Sequence, residues 1–343
     1  MAPSSTSKPD SPAHASQNGG EVQNPQNSLW TIETISGKGK GLIAAQDIAH
    51  GTLILSEEPL ITTECVTSPD LDITESDFSK ALKKLSKASQ QTFLSLHNNF
   101  PGKYPLYGIF RSNAYPFGPN SEVGGVFATI SRINHSCNPN SVQSWNPLLE
   151  RETVYAVRPI PAGTEITTAY QVGGPSTERK PLLKEHFGFD CACEACSLPD
   201  DKLRTSDARM IRVENLDKFI GDAETVRYSP AKVLKNCKTV LSIFEAENIK
   251  DDRLSRLYYD CFQVCNMHSD QARARVFAKK YCEAKKMAAG KDSIDLLEMM
   301  PYVKKPATHS SYGSTSDWKT EIGELPKGVT ADEFRRWMWR EDL

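Results

Sequence analysis

The sequence predicts an α+β chain, with a strand-rich half followed by a helical half. Two observations carry this expectation. Between Trp30 and Tyr170 the chain passes through short β-branched runs, among them LWTIETI, GLIAAQDI, GTLILSEEPLI, GGVFATI, SVQSW, ETVYAV and TEITTAY. Gly, Pro and Asn separate these runs, as expected of many short strands joined by turns. After about residue 200 the runs stop and apolar residues recur at helical spacing.

Taken in order, residues 1–28 are rich in Ser, Pro, Asn, Gln and Gly. Such a segment buries too little apolar surface to offset its ordering entropy, so a disordered tail is expected. Inside the strand-rich half, roughly 71–99 reads as helical, from ESDFSKALKKL and SQQTFLSLHNN. Residues 172–190 read as a turn and a short helix, TERKPLLKEHF. Three consecutive antiparallel helices follow. Their stripes are Val233, Leu234, Cys237, Val240, Leu241 and Phe244, then Leu254, Leu257, Tyr258, Cys261 and Cys265, then Val276, Phe277 and Tyr281. The lengths suggest helix-hairpin repeats (a TPR-like region over 200–303) without a repeat consensus. The tail, 304–343, ends in TADEFRRWMWRED, where Thr330 and Glu333 have capping-box spacing and Phe334, Trp337 and Met338 share one face. That helix is expected to dock on the body, because two exposed tryptophans are costly.

Lys and Arg number 41 against 43 Asp and Glu, a net charge of −2. This balance argues against bulk nucleic-acid binding but leaves room for a local acidic groove that takes a basic peptide. No apolar run reaches about 18 residues, so no membrane span is expected. The N-terminal stretch lacks the apolar core of a secretory signal. A nuclear or cytoplasmic chain is the expectation, and its nine cysteines are then thiols or metal ligands and not disulfides.

Three of those cysteines, Cys191, Cys193 and Cys196, form a C-x-C-x2-C cluster in FDCACEACSLP. Three thiols within six residues can converge on one ion, and structural zinc takes four ligands. Cys65, Cys137, the C-terminal cysteines and the histidines are candidates for the fourth. Cys137 is favoured, since it lies in the polar turn RINHSCNPN, whereas Cys237, Cys261, Cys265 and Cys282 fall on apolar helical faces and read as core. The same turn could be read as a Cys–His nucleophile pair. Catalytic Cys and His usually meet through the fold, not two residues apart, and a metal-bound Cys137 would not be a free nucleophile.

SGKGKGLIA satisfies neither a Walker loop nor a dinucleotide fingerprint. It reads as a glycine-rich hairpin turn, where backbone can approach a ligand and Lys38 and Lys40 can meet its negative end.

Four pieces then stand in order: GKGKGL at 37–42, NHSCNPN at 134–140, AY at 169–170, and the F-x-F-x-C-x-C-x2-C run from Phe187 to Cys196. Together they resemble the SET-domain protein lysine methyltransferases, over roughly residues 30–198. Within that family the chain is most similar to the SET-and-MYND branch and to fungal-type SET proteins. It departs from that branch in having Cys65 as its single cysteine between 60 and 100, which leaves no zinc-binding MYND insert.

The resemblance implies a SET β-fold with a pseudoknot over 29–171, a zinc-binding post-SET segment over 172–199, and a C-terminal α-helical domain. It implies S-adenosylmethionine as cofactor. Lys38, Gly39 and Lys40 would line its amino-acid end, Asn113 would lie nearby, Asn134 and His135 would bind it partly through backbone, and Phe189 would pack on the adenine. Zinc would join Cys137 to Cys191, Cys193 and Cys196. Tyr170 would be the catalytic residue, fixing the substrate amine in line with the methyl group, and would also touch the cofactor. The implied partner is a protein, histone or otherwise, that presents a lysine to a monomeric enzyme. No membrane or direct nucleic-acid contact is implied. The alternative is a SET scaffold that has lost activity.

Overall fold

A computed structural model describes residues 28–63, 75–118 and 121–341. The expected tail lies outside these residues except for Ser28, and so does Cys65.

The first hairpin pairs β1 (Trp30–Ile35) with β2 (Gly39–Ala44). Then come β3 (Leu53–Glu57), β4 (Ile61–Thr62), α1 (Glu75–Lys84), α2 (Lys87–Leu94) and α3 (Pro105–Asn113). The remaining strands are β5 (Tyr115–Pro116), β6 (Gly124–Val126), β7 (Asn134–His135), β8 (Ser141–Asn146), β9 (Arg151–Ala156) and β10 (Glu165–Thr168). From there the chain is helical: α4 (Ser176–Phe187), α5 (Asp200–Ile220), α6 (Ala223–Tyr228), α7 (Pro230–Ala246), α8 (Arg253–Met267), α9 (Gln271–Ala289), α10 (Ile294–Lys304) and α11 (Ala331–Met338). The expected order, strands with an internal helical insertion and then helices, holds.

The strands form three small sheets, ordered β1-β2-β10-β7, β3-β9-β8 and β4-β6-β5. Leu42, Ile54, Leu55, Phe127, Ile130, Ile133, Val154 and Ile166 fill a core between them. Burying each of these side chains is worth on the order of 2 kcal/mol against leaving it exposed. A second core, with Phe78, Phe93, Ile109 and Phe110, holds α1–α3 against Ile61 and Val126.

One pairing positions the site. β7 runs parallel to β10, with Thr167 opposite Asn134 and Thr168 opposite His135. Asparagines of the polar turn then secure the chain after β7. Asn140 accepts from Thr167 N at 2.8 Å and donates to Glu165 O at 2.8 Å. Arg158 donates to Asn138 O at 2.5 Å and to Asn138 Oδ1 at 2.9 Å. The turn is thus bound on both flanks.

The helical half is built on α7, α8 and α9, whose predicted stripes, Leu254 apart, form its core or pack on it. Val233, Leu234, Cys237, Cys261, Cys265 and Phe277 are each at most 1% exposed. α9 also lies against β8 and β9. At its C-cap Gly290 adopts φ +83°, and a Cβ there would overlap the Tyr155 hydroxyl, so only glycine fits. Asn146 Nδ2 donates to Asp292 O at 3.1 Å, beside this contact.

The segment expected as a tail is strapped to the α8–α9 connection. Trp318 N donates to His268 O at 3.1 Å and Thr320 N to Ser269 O at 3.1 Å. α11 carries the expected capping box at Thr330 and Glu333 and buries Met338. The following Trp339 is buried too, 5.3 Å from the Phe277 ring.

Candidate active site and metal corner

The glycine stretch is a hairpin end. Lys38 N donates to Ile35 O at 3.0 Å, and Gly37 and Gly39 take φ of +74° and +76°. β10 pairs with β2 only at Leu42 and Ile43 and then turns to β7 at Thr167 and Thr168, so Gly39 and Lys40 are paired on their β1 side alone. Asn134 reaches this stretch, donating to Lys40 O at 3.3 Å and to Glu165 Oε1 at 2.9 Å. Glu165 Oε2 holds Lys38 Nζ at 2.7 Å. Gly41 permits the approach, because a Cβ there would lie 2.6 Å from Asn134 Nδ2. Lys38, Gly39, Lys40 and Asn134 therefore occupy one corner. Gly41, the third glycine of the stretch, and Glu165 belong with them, and Glu165 was not read from sequence, since nothing local marks it.

His135 connects this corner to the next. Its Nδ1 accepts from Tyr170 N at 3.0 Å, and its Nε2 lies 3.2 Å from Cys137 Sγ. Burial lowers its pKa to about 4, so the ring is neutral at physiological pH. With Nδ1 accepting, the proton belongs on Nε2 and points at the sulfur.

Tyr170 donates from its hydroxyl to Ile133 O at 2.7 Å. Burial pushes its pKa up, so it is a neutral phenol. Around it are His135, Phe187 and Phe189, with ring centroids at 5.3, 4.9 and 6.4 Å. Phe189 is also 5.9 Å from His135. Phe187 is a wall of this group that the sequence placed in the motif but not in the site.

Asn113 closes α3. Its amide donates to His97 O and Ile109 O, both at 2.7 Å, and its own carbonyl accepts from Ser131 Oγ at 2.9 Å. Both of its side-chain donors are thus committed to the protein backbone.

Cys137, Cys191, Cys193 and Cys196 converge, with all four Sγ atoms within 4.8 Å of one another. Cys137 Sγ is 3.9 Å from Cys191 Sγ and 3.5 Å from Cys196 Sγ. Tetrahedral zinc with Zn–S bonds of about 2.3 Å needs sulfurs about 3.8 Å apart, so this donor set fits zinc. Cys137, the cysteine favoured from sequence, is the one the fold brings to the other three.

Without an ion the four thiols cannot all ionise. Hydrogen bonds with the other three push Cys137 far up. Hydrogen bonds from its neighbours, Cys137 first, hold Cys193 well below the usual thiol range and Cys196 at about 7. A divalent cation would replace this sharing of protons with direct neutralisation. Arg179 adds positive charge, its Nη2 4.0 Å from Cys196 Sγ while Nη1 donates to Gly174 O.

The SET domain profile matches residues 39–171. A histone-lysine N-methyltransferase set5 from Schizosaccharomyces pombe is 35% identical over 290 residues, spanning 83% of this chain and 86% of that protein. The chain belongs to the SET-domain family of protein lysine methyltransferases. A putative SET domain-containing protein L678 from a mimivirus is 25% identical over 248 residues, 59% of this chain and 94% of its own. N-lysine methyltransferase SMYD2 from Homo sapiens is 25% identical over 219 residues, and there the match spans 56% of this chain and about half, 49%, of the relative. The SET expectation, and the kinship to the SET-and-MYND branch, therefore hold.

Proposed function

We propose that this chain transfers a methyl group from S-adenosylmethionine to a lysine side chain of a protein, with Tyr170 as the catalytic residue and the four-cysteine corner as a zinc site. The observation that carries this is the convergence, through the β7–β10 pairing, of the Gly39–Lys40 edge, Asn134, His135 and the Tyr170 hydroxyl.

Bound S-adenosylmethionine supplies an electrophilic methyl on a positively charged sulfur. The chain's own groups fit such a ligand. The Gly39–Lys40 backbone offers polar groups for its amino-acid end, with Lys38, Lys40 and Asn134 beside them, and the half-buried Phe189 offers a ring face for the adenine. Asn113, expected near the cofactor by resemblance, has its side-chain donors on His97 O and Ile109 O, so any part it takes is through the position of α3. Cys137, Cys191, Cys193 and Cys196 would hold zinc, which ties the segment bearing Phe187 and Phe189 to the turn bearing His135.

The reaction needs a neutral amine aimed at the methyl carbon. A free lysine has a pKa of about 10.4, and an aromatic enclosure disfavours its charged form. Tyr170 spends its proton on Ile133 O, so its oxygen presents lone pairs to the amine. Accepting one N–H there turns the nitrogen lone pair along a fixed line, and such orientation supplies much of the rate. Phe187, Phe189 and the neutral His135 ring exclude water from that line.

The division into a SET region over 29–171, a post-SET segment over 172–199 and helices over 200–303 follows the same reading. So do a monomeric state and a nuclear or cytoplasmic location. No helix among the described residues is long and apolar enough to cross a membrane. A histone is the first acceptor to try, because the relative matched over most of both chains is a histone-lysine methyltransferase.

The test is transfer of labelled methyl from S-adenosylmethionine to purified core histones, beside Tyr170→Phe. The variant is expected to lose roughly 100-fold in rate while keeping cofactor affinity and fold. An equally active variant would remove Tyr170 from the chemistry. Failure of the wild-type chain to bind the cofactor would favour a scaffold.

A further inference from the structure

Between α8, α9 and α10 lies a cavity of about 650 Å³ that plays no part in the methyl-transfer reading. Tyr259 of α8, Tyr281 of α9, Tyr302 of α10 and His309 beyond it line this space. The rings meet at angles. His309 stands at 90° to Tyr302 with centroids 4.7 Å apart, and at 82° to Tyr259 at 6.1 Å. Tyr259 and Tyr281 are 5.8 Å apart and inclined by 54°. Walls set in different directions enclose a rounded group, where a parallel stack would leave only a slot. Burial lowers the His309 pKa below the usual histidine range, so near neutral pH its ring is an uncharged wall.

The charges of the lining say which group. Lys285 Nζ lies 2.7 Å from Asp295 and 3.0 Å from Asp252, with its side chain 9% exposed. The cavity therefore already holds one ammonium, and two of its three lining carboxylates are spent on it. Asp252 also takes the Ser255 hydroxyl at 2.5 Å, and Tyr259 and His309 are linked at 3.3 Å. Arg256, the other lining cation, is turned to Asp217 at 3.0 Å. Glu298 remains. It is exposed at the rim and forms no ion pair with any described residue. The free part of the cavity thus attracts positive charge and offers little to receive N–H donors. An ordinary ammonium, with three donors, would lose water there without replacing it. A methylated ammonium keeps its charge, gives up N–H groups and packs its methyls on ring faces.

We propose that this cavity binds a methylated lysine side chain of a protein, with Tyr259, Tyr281, Tyr302 and His309 as the cage and Glu298 as its anionic rim. The site lies in the helical half, and its assignment does not depend on the methyl-transfer reading. On that reading the methylated product is a ligand of the same chain, which then stays on protein already modified.

A choline headgroup carries the same kind of cation, but with a phosphate two carbons away. Asp295 and Glu298, both exposed at the mouth, repel that phosphate. A methylated lysine has only its apolar stem at that point. The chemistry of the rim therefore favours the protein side chain over a lipid.

The test is titration of the full chain, its tyrosine rings labelled for NMR, with N-acetyl-trimethyllysine amide. The ring signals of Tyr259, Tyr281 and Tyr302 are expected to shift. Affinity should exceed that of the unmethylated lysine amide, and of the neutral isostere with carbon in place of the ammonium nitrogen, by roughly tenfold. Tyr302→Ala, at a half-buried position, should weaken binding by roughly tenfold. Glu298→Gln, which keeps the packing, should weaken it by about threefold, and it decides the matter beside the isostere if Tyr302→Ala does not fold. Tyr170→Phe should bind as the wild type does, which separates this cavity from a product held in the SET corner. Equal affinity for the isostere, the unmethylated lysine or phosphocholine overturns the proposal. So does binding that survives both cavity variants, binding lost in Tyr170→Phe, or an absence of shifts up to the solubility limit of the probe. Failure of methyl transfer with this binding intact overturns the earlier reading and leaves this one standing.

Discussion

Two groups of buried cysteines, one in each half of the molecule, have opposite surroundings. Cys237, Cys261 and Cys265 are wholly buried among Val233, Val240, Phe262 and Phe277, and burial raises Cys261 and Cys265 well above the usual thiol range. Cys191, Cys193 and Cys196 are nearly as buried, but they meet Cys137, which faces the neutral ring of His135, and Cys196 faces the Arg179 guanidinium. Burial therefore does not distinguish an inert thiol from a ligand. The count of sulfurs that converge, and whether a cation and N–H donors face them, does. The helical cysteines act as small apolar side chains. Those of the corner join two segments that are 54 residues apart at their closest.

Cys193→Ser is the largest break available to this comparison. It leaves three thiolates for a metal that takes four ligands, and folding of such corners is coupled to metal binding. Bound zinc is expected to fall from one per chain toward none, and cofactor affinity by at least tenfold, because Phe189 is carried between the ligands and α4. Metal analysis beside calorimetric titration with S-adenosylmethionine checks both. A variant that retains both zinc and affinity would show that the corner does not hold the site.

In the other half, Cys261→Ala is expected to cost about 2 kcal/mol through a small cavity and to leave zinc and cofactor affinity as in the wild type. Denaturant midpoints and the same metal analysis decide it. Loss of zinc would mean that the two groups are not independent.

The parts of this contrast that were legible in sequence are those with local signatures. Cys191, Cys193 and Cys196 lie within six residues, and the amphipathic stripes of α7, α8 and α9 repeat within a few turns. Cys137 was legible because its neighbours are polar. Glu165 and Arg179 were not, since each acts on a partner brought to it by the fold: Glu165 on Lys38 and Arg179 on Cys196. α5 escaped for another reason. Its 21 residues bury only Met210 and Ile220, so its sequence carries little apolar period to read. α10 holds an internal proline, Pro301, which usually signals an end. The strapped course of 306–329 depends on Trp318 and Thr320 meeting the 268–270 turn, a contact across about 50 residues.

Arg179→Met sharpens the comparison by removing the cation from the corner while keeping its bulk. Arg179 is 6% exposed, and its guanidinium offsets thiolate charge from outside the ligand set. Removal of such an outer partner typically costs 10–100-fold in metal affinity. The expected effect is about tenfold, measured by competition with a zinc chelator, with no change in the number of zinc ions at saturation. An unchanged affinity would leave the Gly174 contact, which anchors the start of α4, as the reason for this arginine.

Thr330→Ala has the smallest effect and tests the independence of the two halves from the far end. Thr330 N donates to Glu333 Oε2 at 2.7 Å, and Glu333 N donates to Thr330 Oγ1 at 3.3 Å, so each side chain caps the other's backbone. The threonine hydroxyl satisfies an otherwise unpaired amide at the start of α11, and its loss is expected to cost about 1 kcal/mol. The helix is short and anchored by Met338 and Trp339, so the loss should appear as faster amide exchange over 331–338 and a slightly lower denaturant midpoint. Zinc content, cofactor affinity and methyl transfer should not move, because α11 docks on α9 through Phe277 and Arg273, whose Nε donates to Trp337 O at 2.7 Å. A change at the cysteine corner would instead show that strain at the α9 N-terminus travels along that helix to the sheet it packs against at Tyr155.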